Sequence, residues 1–410
     1  MTSAAIGSAI RACYSRVLAK TFGMTRNLAE AEDAVHDAIE RALETWVAMF
    51  PENPEAWLVA VARNRVLDRQ RHLGHRDRHR DAIEALAAMS PWVRLALGDP
   101  SIGRGWKDEL LALIFACCDP ALDDGEAAAL ALATVIGMST SEVASAFVVS
   151  PRTMEQRLTR ARQRLRQHGV VRGPSVERLD AVLRTLHLLF NEGYSASTGE
   201  APIRAELCRL AMGLASSVRE ALADPPEVVG LASLFALHDA RRGARLDASG
   251  APVPLPEQDR ALWDRAAIRL ATGDLERALA TGRLGPFQLE AAISAVHCRA
   301  ERAADTDWPE IAELYALLEP MRRSPAVRVN RAYAVGRAHG ADAGLALLAL
   351  GDLPHVDAYP YVDLVRGALL EEAGRIDEAV VALQRAAVRA RSHEVGQVRA
   401  RIARLVQGSR

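Results

Sequence analysis

The sequence has few of the features that mark secreted, metal-binding or membrane-spanning proteins. It contains five cysteines, whose spacing fits neither a C-x-x-C metal motif nor an even-numbered disulfide framework. The longest apolar run, Leu110 to Cys118, is about half as long as a transmembrane helix requires. The amino terminus lacks the long apolar core of a signal peptide. These absences predict a cytoplasmic protein with no membrane partner, no metal and no cofactor.

The chain also has few aromatic residues and a net charge near zero, which limits the fold classes and the kinds of binding partner to be expected. Aromatics make up 5% of the chain, whereas 50% is hydrophobic, with abundant Ala, Leu, Glu and Arg. These side chains lose little freedom in a helix, so we predict an all-α fold. At roughly 150 residues per domain, 410 residues predict two or three domains. The net charge is only −1, so nucleic-acid binding would have to come from local basic patches.

Residues 27–46 predict an amphipathic helix with an acidic side. Apolar residues recur at steps of three and four, and Asn27 is suited to cap the first turn. Four acids form a second stripe: Asp33, Asp37, Glu40 and Glu44. The predicted apolar face comprises Leu28, Ala31, Val35, Ala38, Ile39, Ala42, Leu43 and Trp46. Taken alone, this pattern is more typical of a solvated face on an ordinary bundle helix than of a binding site.

The next helix is predicted to begin at Pro54, because proline suits a first helical turn, and to carry a basic side. Its apolar side comprises Trp57, Leu58, Val61, Ala62, Val66 and Leu67. Residues 63–80 contain seven arginines, two aspartates and three histidines. This balance suits a phosphate backbone, and Asn and Arg also pair with base edges. A basic surface helix without a specific partner explains the segment equally well.

Residues 139–166 predict two helices joined by a tight turn. Ser139 and Glu142 form a capping box, and Ser150-Pro151 restarts the chain as a helix cap and first turn. Residues 150–172 contain seven arginines and one acid, Glu155. A short helix followed by a basic one is typical of a helix-turn-helix that reads the major groove. A generic helical hairpin is the alternative.

Three segments, in this order, resemble bacterial RNA polymerase sigma factors of the extracytoplasmic-function (ECF) group of the sigma-70 family. Residues 29–37 (AEAEDAVHD) are similar to that family's DAEDLVQE stretch. Residues 54–68 (PEAWLVAVARNRVLD) are similar to its AWLYRIARNLALD helix. Residues 122–166 resemble the domain that reads the −35 promoter element and end in RLTRARQRLR. The resemblance covers residues 1–168.

The resemblance implies a role for each segment. Residues 1–71 correspond to sigma region 2, 72–106 to an interdomain linker, and 107–168 to the region 4 helix-turn-helix. Residues implied to bind the β and β′ subunits of core RNA polymerase are Glu32, Asp33, His36, Asp37 and Glu40. Residues implied to engage the −10 element are Phe50, Arg63, Asn64, Asp68, Arg69 and Arg71. Residues implied to engage −35 DNA are Ser150, Arg152, Thr153, Glu155, Gln156, Arg157, Thr159, Arg160 and Arg164.

Two positions depart from the family pattern. The turn between the last two helices usually carries glycine, where this chain has Val148. A β-branched residue there is strained if the backbone has a positive φ. A basic residue is usual where this chain has Glu155, so one phosphate contact becomes a repulsion or an acceptor for a cytosine amine.

After a second linker at 169–178, residues 179–410 resemble the long tetratricopeptide-like (TPR-like) helical extension of one ECF subgroup. Residues 186–194 (LHLLFNEGY) and 238–242 (HDARR) are similar to that subgroup's recurring stretches. Residues that fit 34-residue helix-pair repeats are Ala332, Val335, Gly344, Leu348, Gly367, Leu370, Gly374, Ala379, Leu383 and Ala386. Alanine-rich helices also fit such templates by chance, above all before residue 320. The resemblance implies regulation in cis and a surface for a regulatory protein.

No nucleophile elbow, P-loop or H-E-x-x-H motif is present, so we predict that the chain is not an enzyme. The groups at 187–194 and 238–242 are more typical of hydrogen-bonded helix ends than of a pocket. The main alternative function is a helix-turn-helix regulator with a ligand- or protein-sensing C-terminal domain. That alternative leaves residues 27–71 without a role.

Overall fold

The computed structural model describes residues 3–25, 27–72, 106–168, 178–196, 202–248, 250–390 and 395–408. Within these ranges the regular structure is helical, apart from one isolated antiparallel bridge between Leu246 and Pro252. The predicted all-α fold is therefore confirmed. The predicted linker at 72–106 lies outside these ranges, apart from its first and last residues.

The chain divides into two compact units. The first contains residues 1–194 and 205–221, and the second contains residues 195–204 and 222–410. The helices of the first unit are α1 (Ser3–Thr25), α2 (Leu28–Thr45), α3 (Pro54–His72), α4 (Trp106–Cys117), α5 (Asp124–Ala131), α6 (Thr140–Ala146), α7 (Pro151–His168), α8 (Leu179–Tyr194) and α9 (Ala205–Leu222, of which the last residue falls in the second unit).

The first three helices form a bundle. Leu18, Val35 and Leu58 lie in its core, and Trp46 is buried where α2 ends. On the surface, Arg16 and Lys20 of α1 pair with Glu55 of α3 at 2.6 and 2.7 Å. Burial raises the pKa of the Glu55 carboxyl, but the hydrogen bonds from these two cations outweigh that effect and lower it.

Helix boundaries predicted from caps agree with the structure. The Asn27 side chain accepts hydrogen bonds from the main-chain N–H groups of Ala29 and Glu30, so α2 begins where predicted. The apolar faces were predicted too wide: Leu43 and Leu67 are exposed. Each follows the last inward residue, Ala42 or Val66, by one position, which turns it about 100° away from the core at 3.6 residues per turn.

Helices α4, α7 and α8 of the first unit pack on α1 or α5. Helix α1 contacts α4 and the π-helical turn Leu132–Ile136 that continues α5. Helix α8 packs on α5, with Val182, Leu186 and Leu189 fully buried. The buried Arg178 donates to the main-chain oxygen of Phe115 at 3.2 Å, which fixes the start of α8 to α4. Helix α8, which the sequence analysis placed in the extension, thus packs within the first unit.

The second unit is a succession of helices packed against their chain neighbours. Its helices are α10 (Pro226–Asp239), α11 (Arg265–Leu279), α12 (Pro286–Arg299), α13 (Trp308–Met321), α14 (Pro325–His339), α15 (Ala341–Leu348), α16 (Val362–Glu372), α17 (Ile376–Arg389) and α18 (Val395–Gly408).

Small residues let the paired helices of this unit approach closely. A Cβ added at Gly344 of α15 would meet the main-chain oxygen of Ala332 in α14, and one added at Gly367 of α16 would meet the Leu383 side chain of α17. Of the positions predicted to fit repeats, Ala332, Leu348, Leu370, Ala379, Leu383 and Ala386 are buried. The TPR-like assignment itself remains a prediction.

A buried ion-pair network joins α13 and α14. Arg328 and Glu319 are each 6% exposed and pair with one another. Arg328 also binds both carboxylate oxygens of Asp352, at 2.6 and 3.1 Å, and Arg331 pairs with Glu319. A buried guanidinium needs such acceptors because desolvation of an isolated charge is costly.

Candidate functional site

The acidic side of α2 is mostly open to solvent. Asp33, His36, Asp37 and Glu40 are exposed, and Asp37 lies 3.7 Å from the Arg65 guanidinium of α3. A negative helix face of this kind suits a positively charged protein partner. Four of the five residues predicted to bind polymerase are therefore on one accessible surface.

Glu32, the fifth, is only 9% exposed. Burial raises the pKa of the Tyr14 hydroxyl to about 12, with a further increase from Glu32 and an opposing effect from Arg162. The same two charges act on Cys117, whose pKa burial raises strongly. Glu32 of α2 and Arg162 of α7 thus lie near enough to act on Tyr14 of α1 and Cys117 of α4. Sequence reasoning missed this charged junction because these residues are far apart along the chain.

The loop between α2 and α3 contains a small aromatic cluster. The Trp46 ring lies edge-on to Phe50 and Trp57, with ring centres 5.2 and 5.4 Å apart. Trp46 is buried, as predicted, whereas Phe50 and Trp57 are half-buried. Val47 and Met49 are 61% and 80% exposed on the same loop. The loop therefore presents apolar and aromatic groups of the kind on which an unstacked base can pack.

The basic side of α3 is exposed where the structure describes it. Arg63, Asn64 and Arg65 all project into solvent. The side chains of Asp68, Arg69 and Arg71, also predicted to engage DNA, lie outside the described residues. The described part places guanidinium and amide groups on the same three-helix bundle as the acidic face of α2.

Helices α6 and α7 are joined by a turn with a left-handed residue. The Val148 N–H donates to the Ser145 carbonyl and the Val149 N–H to the Ala144 carbonyl, at 3.1 and 3.0 Å. This is the Schellman arrangement, in which glycine is the usual left-handed residue. Val148 occupies that position with φ of +54°. The strain expected from this departure is thus present in the structure.

At both ends of the series of residues predicted to engage −35 DNA, side chains bond to other groups of the protein. Ser150 accepts a hydrogen bond from the Thr153 N–H at 3.1 Å, and the two hydroxyls lie 2.8 Å apart, so both cap α7. Arg164 pairs with Glu126 of α5 at 2.5 Å. These three residues hold α7 in position, which leaves their hydrogen-bonding groups less free for DNA.

The middle of α7 offers the accessible groups. Arg152, Glu155, Gln156, Thr159 and Arg160 are exposed, and Arg157 is half-buried. The first three border an open depression that Thr140 and Ser141 of α6 also line. Met154, Leu158 and Ala161 face inward and are buried. The helix therefore presents polar, mainly cationic groups on one side, as major-groove reading requires.

Features that would suggest other chemistry are few in the described part of the chain. His187 and Asn191 of α8 lie 3.3 Å apart one turn along the same helix, which fits the predicted hydrogen-bonded helix end. No group of histidines, cysteines and carboxylates among the described residues is arranged to hold a metal ion. None of the described helices is both long and apolar enough to cross a bilayer.

Comparisons with known proteins find matches for two segments of the chain. Residues 9–76 match the model of sigma-70 region 2, and residues 178–279 match a family of unknown function (DUF6596). The chain is 40% identical over 368 residues to an uncharacterized protein of Rhizobium meliloti (strain 1021), covering 88% of this chain and 86% of that protein. No solved structure matches significantly.

Proposed function

We propose that this chain, which belongs to the same family as the Rhizobium meliloti protein and carries a sigma-70 region 2 domain, acts as a sigma factor. It would bind core RNA polymerase in the cytoplasm and direct promoter-specific transcription initiation. The observation that carries this proposal is the region 2 match over residues 9–76 on a bundle with one acidic and one basic face.

Docking on the β and β′ subunits is assigned to the exposed face of α2. Asp33, His36, Asp37 and Glu40 are accessible there without any rearrangement. Glu32 would become available only if the charged junction that encloses it opened.

Engagement of the −10 element is assigned to the aromatic loop and to α3. Phe50 supplies a half-buried ring beside the exposed Met49, and Arg63 and Asn64 supply hydrogen-bond donors. An opened promoter exposes unpaired bases, which need stacking partners and polar contacts of these types.

Reading of the −35 element is assigned to α7, with α6 as the first helix of the pair. The exposed Arg152, Gln156 and Arg160 support this assignment, and Glu155 beside them disfavours phosphate at its position. A carboxylate at this place instead suits a cytosine amine.

The ECF assignment and the regulatory role of the C-terminal region complete the proposal. The paired helices α14–α17 support a TPR-like extension, because close helix pairs of this kind form protein-binding surfaces in repeat proteins. We assign to this extension a positive regulation in cis and a surface for a regulatory protein.

Promoter run-off transcription with purified core polymerase tests the sigma function. The double variant Asp33→Lys, Asp37→Lys should lose association with core while its helical content stays unchanged. The matched control is Glu301→Lys, Glu313→Lys, which makes the same change of charge on exposed positions of the second unit. Association of the first variant at the level of the control would contradict the docking assignment.

Substitutions on α7 test the promoter contacts separately. Gln156→Ala should relax sequence preference at one base pair by about 1–3 kcal/mol, whereas Arg160→Ala should weaken binding more evenly across sequences if it contacts phosphate. Electrophoretic mobility shifts with intact and scrambled −35 DNA distinguish the two effects. Full affinity and selectivity in both variants would place the reading surface elsewhere.

Shortening the chain after Ala221 tests regulation in cis. This cut keeps α8, whose Leu186 and Leu189 are buried. A cut in the 169–178 linker would remove α8 and expose the surface of α5 on which it packs. The shortened chain should bind core polymerase and lose most promoter-dependent transcription. Transcription equal to that of the full-length chain, or above it, would mean that the extension is dispensable or inhibitory.

A further inference from the structure

We propose that the second unit contains a binding site for a phosphate group, built by Arg241, Arg260 and Arg265 around the Trp263 ring. The centres of the three guanidinium groups lie 5.9, 4.5 and 5.7 Å from the centre of that ring. Trp263 is 3% exposed, and Arg241 and Arg260 are 5% and 8% exposed. Arg265 is exposed and marks the solvent side of the cluster.

The segment between α10 and α11 brings these residues together. Its two ends are joined by a hydrogen bond from the Asp264 N–H to the Ala240 carbonyl at 2.9 Å. Arg241 and Trp263, the neighbours of these two residues, are therefore held close in space although they are far apart in sequence. The adjoining Asp264 side chain caps α11, so the frame of the cluster is anchored on a regular helix.

Two of the three arginines have a structural role at the end of α12. Arg260 donates from Nη1 to the carbonyl oxygens of His297 and Ala300, at 2.8 and 2.7 Å. Arg265 donates from Nη1 to the carbonyl of Cys298 at 3.1 Å. Cations suit the last turn of a helix, where carbonyl groups lack partners. This role explains why both residues lie here but does not involve Arg241.

Arg241 has no comparable role. Its side chain makes no hydrogen bond or ion pair with any described residue, and its Nε atom is buried without a partner. The indole Nε1 of Trp263 is likewise buried without a partner. Burying a guanidinium N–H group without an acceptor is costly, so the buried Nε of Arg241 favours an anion that is not part of the described chain.

The surroundings do not neutralise this positive charge. None of the three arginines forms an ion pair with a described carboxylate. Asp305 lies near enough to act on Arg260, but Arg302 holds both its oxygens at 2.9 and 2.7 Å. Burial, followed by the charges of Arg241 and Arg260, lowers the pKa of His297 to about 4 and keeps the imidazole neutral.

The chemistry of the cluster favours a phosphate over a single carboxylate. Planar guanidinium groups bind phosphate oxygens in pairs, and a dianion balances more than one of the three cations. The same chemistry serves free phosphate and a phosphate ester on a larger molecule.

Calorimetric titration of the full-length chain with sodium phosphate tests the site, with sodium acetate at matched ionic strength as the reference anion. Phosphate should bind and acetate should not. Arg241→Met should weaken phosphate binding at least tenfold while the unfolding temperature without phosphate stays the same or rises, because the variant removes a buried unpaired charge. The matched control is Arg269→Met, an exposed arginine of the same unit, which should bind like the wild type.

A second readout follows the His297 imidazole by NMR. Phosphate beside Arg241 should raise the pKa of His297 towards that of a free histidine, and this shift should vanish in Arg241→Met. Tighter binding of glycerol phosphate than of free phosphate would identify an ester as the ligand, and equal binding would identify the free ion. The proposal is overturned if the wild type does not bind phosphate at millimolar concentration, if acetate binds as well, or if Arg241→Met binds phosphate undiminished.

Discussion

Replacing Val148 by glycine should stabilise the first unit, although the change removes an apolar side chain. Val148 has φ of +54°, in the left-handed region where a Cβ costs roughly 1–2 kcal/mol. The two hydrogen bonds of the turn come from the main-chain N–H groups of Val148 and Val149. Glycine keeps both bonds and removes the clash of the Cβ.

Two opposing terms set the size of this effect. The Val148 side chain is 54% exposed, so its removal returns little buried apolar surface to water. Glycine loses more backbone entropy on folding, which costs about 0.5–1 kcal/mol. The remaining gain is about 0.5–1 kcal/mol, and in a unit of this size 1 kcal/mol raises the unfolding temperature by about 2–4 °C.

Differential scanning calorimetry of full-length variants measures this difference. Val149→Gly is the matched control, because Val149 is next in sequence and does not have a positive φ. It should lower the same transition, since glycine there pays backbone entropy without relieving strain. The transition of the second unit should not move in either variant. A Val148→Gly chain that unfolds at or below the wild-type temperature would refute the argument.

Three further predictions concern the second unit. Gly344→Ala should destabilise this unit by about 1–3 kcal/mol in urea unfolding, because the new Cβ meets the main chain of the facing helix. At Gly273 a new Cβ meets only a flexible side chain, so Gly273→Ala should stabilise the unit by about 1 kcal/mol. Glu319→Gln should cost about 3 kcal/mol in the same assay, because it removes a buried partner of Arg328; an unchanged midpoint would contradict this. The pKa of His297 is lowered to about 4, so the unfolded state takes up a proton before the folded state does as the pH falls from 6.5 to 4. The free energy of unfolding should therefore drop by roughly 3 kcal/mol across that window. The variant His297→Gln should abolish this drop.

Local features of the fold could be predicted from the sequence, because caps and turns depend on neighbouring residues. The start of α2 at its Asn27 cap and the capping box of Ser139 with Glu142 both agree with the structure. The family pattern also identified Val148 as a position of strain. Exposure at the edges of helices was harder: Leu43 was expected on the apolar face of α2 but lies one position past the buried Ala42 and is exposed.

Contacts between distant segments could not be predicted in the same way. The sequence showed Arg241 only as part of a helix end, because Trp263, whose ring its guanidinium lies over, comes from a later segment. The proximity of Glu32 to Cys117 likewise joins two helices that are far apart in sequence. Periodicity reports which side of a helix is apolar but not which charged residue a later helix will cover.

The position of Glu32 bears directly on how the first unit would bind polymerase. Its carboxylate is only 9% exposed and acts on the nearby Tyr14 hydroxyl, so a partner reaches it only in an arrangement in which the groups that cover it have moved. A ligand shifts such an equilibrium only by its difference in affinity for the two arrangements. Docking through Asp33 and its exposed neighbours requires no such shift, whereas docking that includes Glu32 requires new contacts worth more than those the junction loses.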